Sequence, residues 1–151
     1  MRPLHTPGAV AEARRPIHSA LDANILGQLE ALGSASGEDL VAELATMFVA
    51  DADVQLTEMH RALDVADAVA VARSAHNLSG ASATLGATDL ASLCATLESQ
   101  SAEGNLSNGE PLLEAVESEL EAVHSAFALR KTQADRIRIS GQRRAASAVN
   151  V

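Results

Sequence analysis

DVADAVAVARSAHNLSGASATLG, residues 64–86, decides how this chain folds. Asp64, Ala68, Val71, Ala75, Leu78, Ser82 and Leu85 recur at alternating intervals of four and three, the spacing of a seam between packed helices. Gly86 follows where a residue free to take positive φ commonly ends a helix. At 100° per residue, His76 points roughly 140° away from the centre of that seam, toward solvent. Ala72, Arg73, Ser79, Gly80 and Ala83 share its face at helical spacings. Apart from Arg73 these neighbours are small, and a mid-helix glycine costs about 1 kcal/mol relative to alanine. A surface that accepts Gly80 beside an exposed histidine reads as a place where another molecule's backbone comes close.

The same rhythm organises the rest of the chain. LDANILGQLEALG, residues 21–33, predicts a short helix with Asp22 near its start and Gly33 at its end. Residues 36–63 open with Ser36 before two acids, which suits a helix N-terminus. Leu40, Leu44, Met47, Phe48, Val54, Met59 and Leu63 give that segment its apolar stripe. In ATDLASLCATLES, residues 87–99, Leu90, Leu93, Cys94 and Leu97 share one face, with Thr88 or Asp89 as the cap. Asn105 to Gly109 reads as a turn, and Pro111 falls in the first turn of a last helix, where proline is tolerated. Leu113, Val116, Leu120, Val123 and Phe127 repeat the four-three pattern there, and periodicity fades beyond Arg130. No strand pattern or internal repeat competes. The expected fold is all-α, an antiparallel four-helix bundle with a short N-terminal accessory helix. Residues 1–20, with prolines at 3, 7 and 16, read as a flexible lead-in, 21–129 as the bundle and 130–151 as a basic, disordered tail.

Composition narrows the function. Of 151 residues 47% are hydrophobic yet only 1% aromatic, so the core must be built from alanine, leucine and valine. The single cysteine, Cys94, excludes an internal disulfide framework and fits a reducing compartment. MRPLHTPGAVAEARRP is too polar for a signal peptide, and no apolar run is long enough to span a membrane. A cytoplasmic protein with no membrane role is expected. Residues 21–129 carry 18 acidic side chains against Arg61 and Arg73, a balance that repels phosphate backbones and argues against a nucleic-acid partner. No metal site is expected, since His5, His18, His60 and His124 lack ligand spacing with His76.

AHNLSGASATLGATDLASLCATLE, residues 75–98, resembles the signature region of histidine-containing phosphotransfer (HPt) domains. That family's pattern is Ala-His-x-Leu-Lys-Gly, two small residues, and a Leu-Gly-Ala, followed by a leucine, a cysteine and a Leu-Glu pair. Ala75, His76, Leu78, Gly80, Ala81, Ser82, Leu85, Gly86 and Ala87 match it, as do Leu90, Cys94, Leu97 and Glu98. The resemblance covers about residues 21–129. It implies that His76 is a phosphoryl acceptor, with Arg73 and Ser79 in the phosphoryl neighbourhood. It also implies a docking surface at Ala72, Asn77, Gly80 and Ala83. The implied partners are response-regulator receiver domains and a hybrid sensor histidine kinase, with Mg²⁺ carried by the receiver and no cofactor on this chain. A monomer without ATP-binding or autokinase activity is expected, and no phosphate-binding glycine loop occurs in the sequence. The family commonly has lysine where this chain has Ser79, which donates one hydrogen bond but neutralises no charge.

Two other classes fit parts of the pattern. Dimerisation domains of sensor kinases also present a helical histidine, but usually with an acid directly after it and a proline soon beyond; here Asn77 follows and the next proline is Pro111. A bundle that binds receivers without carrying phosphate is the alternative that Ser79 keeps open. Elsewhere, Cys94 and Ser82 read as packing residues, His60 and His124 as helix-surface residues, and Glu98, Glu114, Glu117, Glu119 and Glu121 as solvated helix faces.

Overall fold

The structure, a computed structural model, describes residues 20–37 and 39–149. Five helices follow one another: α1 (Ala23–Ser36), α2 (Leu40–Asp64), α3 (Ala68–Thr84), α4 (Thr88–Ala102) and α5 (Gly109–Val149). The short links at 65–67 and 85–87 turn the chain back on itself, so that successive helices run antiparallel. In the ring of four, α2 packs on α3, α3 on α4, α4 on α5 and α5 on α2, while α1 lies against α2. This is the expected all-α bundle with its accessory helix.

Aspartates start three of the helices. Asp22 accepts from the backbone N–H groups of Asn24 and Ile25 at 2.8 and 3.3 Å, Asp39 from Ala42 at 3.2 Å, and Asp67 from Ala70 at 3.1 Å. Each satisfies donors that an isolated helix end leaves open. α4 has no such cap: Ala87 precedes it, and Thr88 and Asp89 lie within the helix rather than capping it. Its entry is fixed by the backbone, with the Ala87 N–H donating to the Ser82 carbonyl at 2.9 Å.

The core is the seam read from the sequence. Val71, Ala75, Leu78, Ser82 and Leu85 of the α3 segment are buried against Leu90, Cys94 and Leu97 of α4. Leu113, Val116, Leu120 and Val123 of α5 close the other side. Each fully buried leucine contributes about 1.5–3 kcal/mol by removal from water. Phe48 and Phe127 meet edge to face, ring centroids 6.4 Å apart, and tie α2 to α5.

Several boundaries differ from the sequence reading. α1 runs through Gly33, which is buried inside it, and ends instead at Gly37, whose φ of 78° lets its N–H reach the Gly33 and Ser34 carbonyls. Ser36 therefore closes α1 rather than opening α2. Asp64 is the last residue of α2 and exposed, not the first rung of the α3 seam. Met47 and Val54 are 68% and 63% exposed, because the buried face of α2 is Val41, Phe48, Ala52, Met59 and Ala62. Alanines sit where the helices approach most closely, and a stripe drawn through the large apolar residues passes beside them. The expected disordered tail is also corrected, since α5 continues as helix to Val149. Every residue from 131 to 148 is exposed, so it is burial rather than helix that stops there. The run has no proline and is rich in arginine, glutamine and alanine, and propagation from an already formed helix is cheap. The lead-in read at residues 1–20 lies outside the described residues except for Ala20, which is buried with Leu21 in the core.

Gly86 joins the accessory helix to the bundle. Its φ is 80°, its carbonyl accepts from the Asp22 N–H at 2.7 Å, and a Cβ there would stand 3.2 Å from both the Asp22 carbonyl oxygen and the Ile25 Cβ. Gly37 has a similar φ but open space around it. Gly37→Ala is therefore expected to cost about 1 kcal/mol, the left-handed backbone penalty alone. Gly86→Ala should cost about 2–3 kcal/mol because α1 must shift as well, and urea unfolding of the two variants measures the difference. Burial pushes the Cys94 thiol up from 9.0 to about 12. The folded state thus keeps the proton longer than the unfolded chain, so this stability is complete below pH 9 and is lost as pH rises toward 12. With no tyrosine in the chain, the alkaline fall in urea midpoint should flatten in Cys94→Ala.

Candidate functional site

His76 lies midway along α3 on the side turned from the core, and its side chain is 72% exposed. Its neighbours in sequence explain the placement: Ala75 and Leu78 are fully buried on the seam, which forces position 76 outward. Across the α3–α4 contact, Leu97 is buried and Glu98 beside it emerges at the edge of the interface. There the His76 Nδ1 stands 2.9 Å from Glu98 Oε1. The sequence reading had Glu98 as a solvated helix face; the structure pairs it with the histidine. Its signal in the sequence was the Leu97–Glu98 pair of the family pattern, not any spacing, since the two residues are 22 apart and on different helices.

This pairing fixes the chemistry of the ring. A carboxylate only accepts, so the nitrogen facing it carries the proton. In the neutral imidazole Nδ1–H then donates to Glu98 and Nε2 keeps its lone pair, with no protein partner of its own. The exposed edge of His76 is a nucleophile rather than a donor. Any positive charge that develops on the ring as Nε2 forms a bond is met by the Glu98 carboxylate.

The other residues singled out from sequence divide into two groups. Asn77, Gly80 and Ala83 are exposed on the outer side of α3 and Ala72 is half-buried at its edge. A Cβ added at Gly80 would meet nothing within 4 Å, so nothing inside the chain requires glycine there. Ser79 is half-buried and its hydroxyl donates to the Ala91 carbonyl of α4 at 3.1 Å. That hydroxyl is committed to the helix contact. Arg73 is exposed, and its charge reaches Glu58 of α2. The carboxyl of Glu58 is held below its ordinary range mainly by hydrogen bonds from Arg61, at 2.6 and 3.0 Å, with Arg73 a weaker attraction.

Of the other two helical histidines, His60 is a surface residue as expected and His124 is not. His60 of α2 pairs with Glu117 of α5, so that neither is merely solvated. His124 is half-buried, and its Nε2 is enclosed without a hydrogen-bond partner. Among the described residues no three histidine, cysteine, aspartate or glutamate side chains gather as a metal site. None of the described helices is long and apolar enough to cross a membrane.

The bundle thus presents an exposed histidine on α3, paired with a carboxylate from α4. Residues 43–126 match the family model of the Hpt domain, and the chain belongs to that family, whose members are phosphotransfer intermediates of two-component signalling rather than kinases. It is similar to histidine-containing phosphotransfer protein B (HptB) from Pseudomonas aeruginosa PAO1, at 30% identity over 76% of this chain and 96% of that one, with a TM-score of 0.69. No curated protein sequence matches the chain.

The tautomer is open to direct measurement. Nitrogen-15 correlation spectra of the neutral side chain should show His76 protonated at Nδ1. In Glu98→Ala the anchor is gone, and the ring should revert toward the Nε2–H form that free imidazole side chains prefer.

Proposed function

We propose that His76 is the phosphoacceptor of this chain, receiving a phosphoryl group from a receiver-domain aspartate and passing it to a second receiver. The observation that carries this reading is the Nδ1–Glu98 hydrogen bond, which leaves Nε2 free and aimed at solvent. In the forward step the Nε2 lone pair attacks phosphorus of the aspartyl phosphate. The bond between phosphorus and the acyl oxygen breaks, and its electron pair leaves with the aspartate carboxylate. The product carries phosphate on Nε2, retains the proton on Nδ1, and has its ring charge balanced by Glu98. Passage to a second receiver is the same step in reverse, with a new carboxylate as the nucleophile.

Ala72, Asn77, Gly80 and Ala83 form the surface on which the receiver rests, and the open space at Gly80 admits a close backbone approach. Mg²⁺ belongs to the receiver, and this chain supplies the nitrogen, its orientation and the shape around it. Such a carrier needs neither ATP nor autokinase chemistry and works in the cytoplasm. A hybrid sensor kinase is the proposed source of the phosphoryl group. One observation favours a second reading, a receiver-binding module that carries no phosphate: the position usually held by lysine is Ser79, and its hydroxyl is engaged by Ala91. On the first reading, Ser79 leaves the phosphoryl charge less neutralised than a lysine would.

Transfer from a panel of phosphorylated receivers tests both. Acid-labile, alkali-stable label should appear on the wild type and be absent from His76→Gln. Ser79→Lys should lengthen the lifetime of phosphohistidine by about tenfold, the scale of one charge-assisted contact. Gly80→Gln should slow transfer without lowering the urea midpoint, since a better helix former replaces glycine in open space. Receiver binding with no label on the wild type would establish the phosphate-free module instead.

A further inference from the structure

Two basic side chains, Arg61 and Arg73, stand against 18 acidic ones across residues 21–129. Arg61 is committed, since its guanidinium holds the Glu58 carboxylate by hydrogen bonds of 2.6 and 3.0 Å. Arg73 is not. Among the described residues its guanidinium has no hydrogen-bond or ion-pair partner, and its charge reaches Glu58 more weakly than that of Arg61. Glu58 keeps both of its hydrogen bonds if Arg73 turns elsewhere.

Arg73 stands three residues before His76, about 60° round α3 and about 4.5 Å lower along its axis. Side chains at this spacing have Cβ atoms about 5–6 Å apart. A helical side chain leans toward the N-terminus of its helix, so the imidazole lies over the turn from which Arg73 projects. The flanks of the ring differ. On one side Nδ1 is turned to Glu98 of α4, the helix that Ser79 also meets. Nε2 is on the far edge of the ring, and helix rotation puts Arg73 on the side of His76 opposite Ser79, toward Glu58 of α2. The histidine stands between a carboxylate at its protonated nitrogen and a guanidinium on the flank of its free one.

A phosphoryl group on Nε2 adds negative charge to a domain already far more acidic than basic, and its oxygens call for donors. The Ser79 hydroxyl is engaged with the Ala91 carbonyl and does not answer that call. We infer that Arg73 is the cation that holds the phosphoryl group of His76, turning from Glu58 to the phosphoryl oxygens as Nε2 becomes bonded to phosphorus. This role rests on the reading of His76 as the phosphoacceptor. Arg73 stays protonated throughout and makes only charge-assisted hydrogen bonds, for which its planar fork is suited. The same guanidinium faces the group in flight, when charge is spread over the phosphoryl oxygens. Arg61 remains on Glu58, so the move leaves no carboxylate unpaired.

Transfer from a phosphorylated receiver to the wild type, Arg73→Gln and Arg73→Lys tests this, together with phosphorus-31 spectra of the labelled proteins. Arg73→Gln should slow transfer at saturating receiver by about tenfold with the urea midpoint unchanged. Arg73→Lys keeps the charge and should recover most of that rate. A cation beside the phosphoryl oxygens favours their fully ionised form, so the phosphorus-31 titration midpoint should move up in Arg73→Gln. An unchanged saturated rate or an unchanged titration overturns the proposal. A loss confined to receiver affinity overturns it too, as does a slowed Arg73→Gln that Arg73→Lys does not recover. In each of those cases the wild type still carries label on His76, and the phosphotransfer reading stands. Absence of label on the wild type removes both.

Discussion

Small side chains along one face of α3 let α4 come close, and the rest of the structure is arranged around that contact. Ala75 and Ser82 are fully buried there, between Leu78 on their own helix and Leu90, Cys94 and Leu97 opposite. Serine is tolerated in this apolar setting because its hydroxyl donates to the Leu78 carbonyl at 2.6 Å and leaves no open polar group. The short distance between the backbones is also what brings Glu98 to 2.9 Å from His76 and Ser79 to 3.1 Å from the Ala91 carbonyl. A larger residue at Ala75 would widen the interface and draw the carboxylate from the imidazole. Packing density and site geometry are therefore one constraint, not two.

The turn after α3 extends this constraint to the accessory helix. Gly86 ends α3, accepts the Asp22 N–H and leaves no room for a Cβ against α1. The glycine that closes the helix bearing His76 is the same residue that seats α1 on the bundle. Asp22, by capping α1 while its N–H is held by Gly86, fixes both the start and the direction of that helix. From the middle of α1, Glu30 pairs with Arg130 of α5, near the point where the bundle stops covering that helix. Exposed ion pairs of this kind add little stability but hold orientation.

The ring of four and the outward position of His76 were legible because both follow from helical periodicity, a property of spacing alone. So was the burial of Cys94 and Ser82, each on an apolar face by the same count. The buried face of α2 was not, since Ala52 and Ala62 look neutral by hydropathy and matter only once a neighbouring helix is close enough to need them. Gly33 and Gly37 were equally plausible stops, and the choice between them depends on which one the bundle buries. The helix beyond Arg130 was misread for a related reason: loss of an apolar pattern signals loss of partners, while helix persists on local propensity.

The sequence by itself determined the helical architecture, the seam, the histidine and its outward direction, because each is set within one helix by the rotation per residue. Only the tertiary structure decided which carboxylate meets His76 and that Ser79 is spent on the Ala91 carbonyl. Those relations join residues on different helices, and no periodicity within one helix encodes the rotation and height at which two helices come to rest. Packing sets both, and with them the proton on Nδ1 and the lone pair on Nε2.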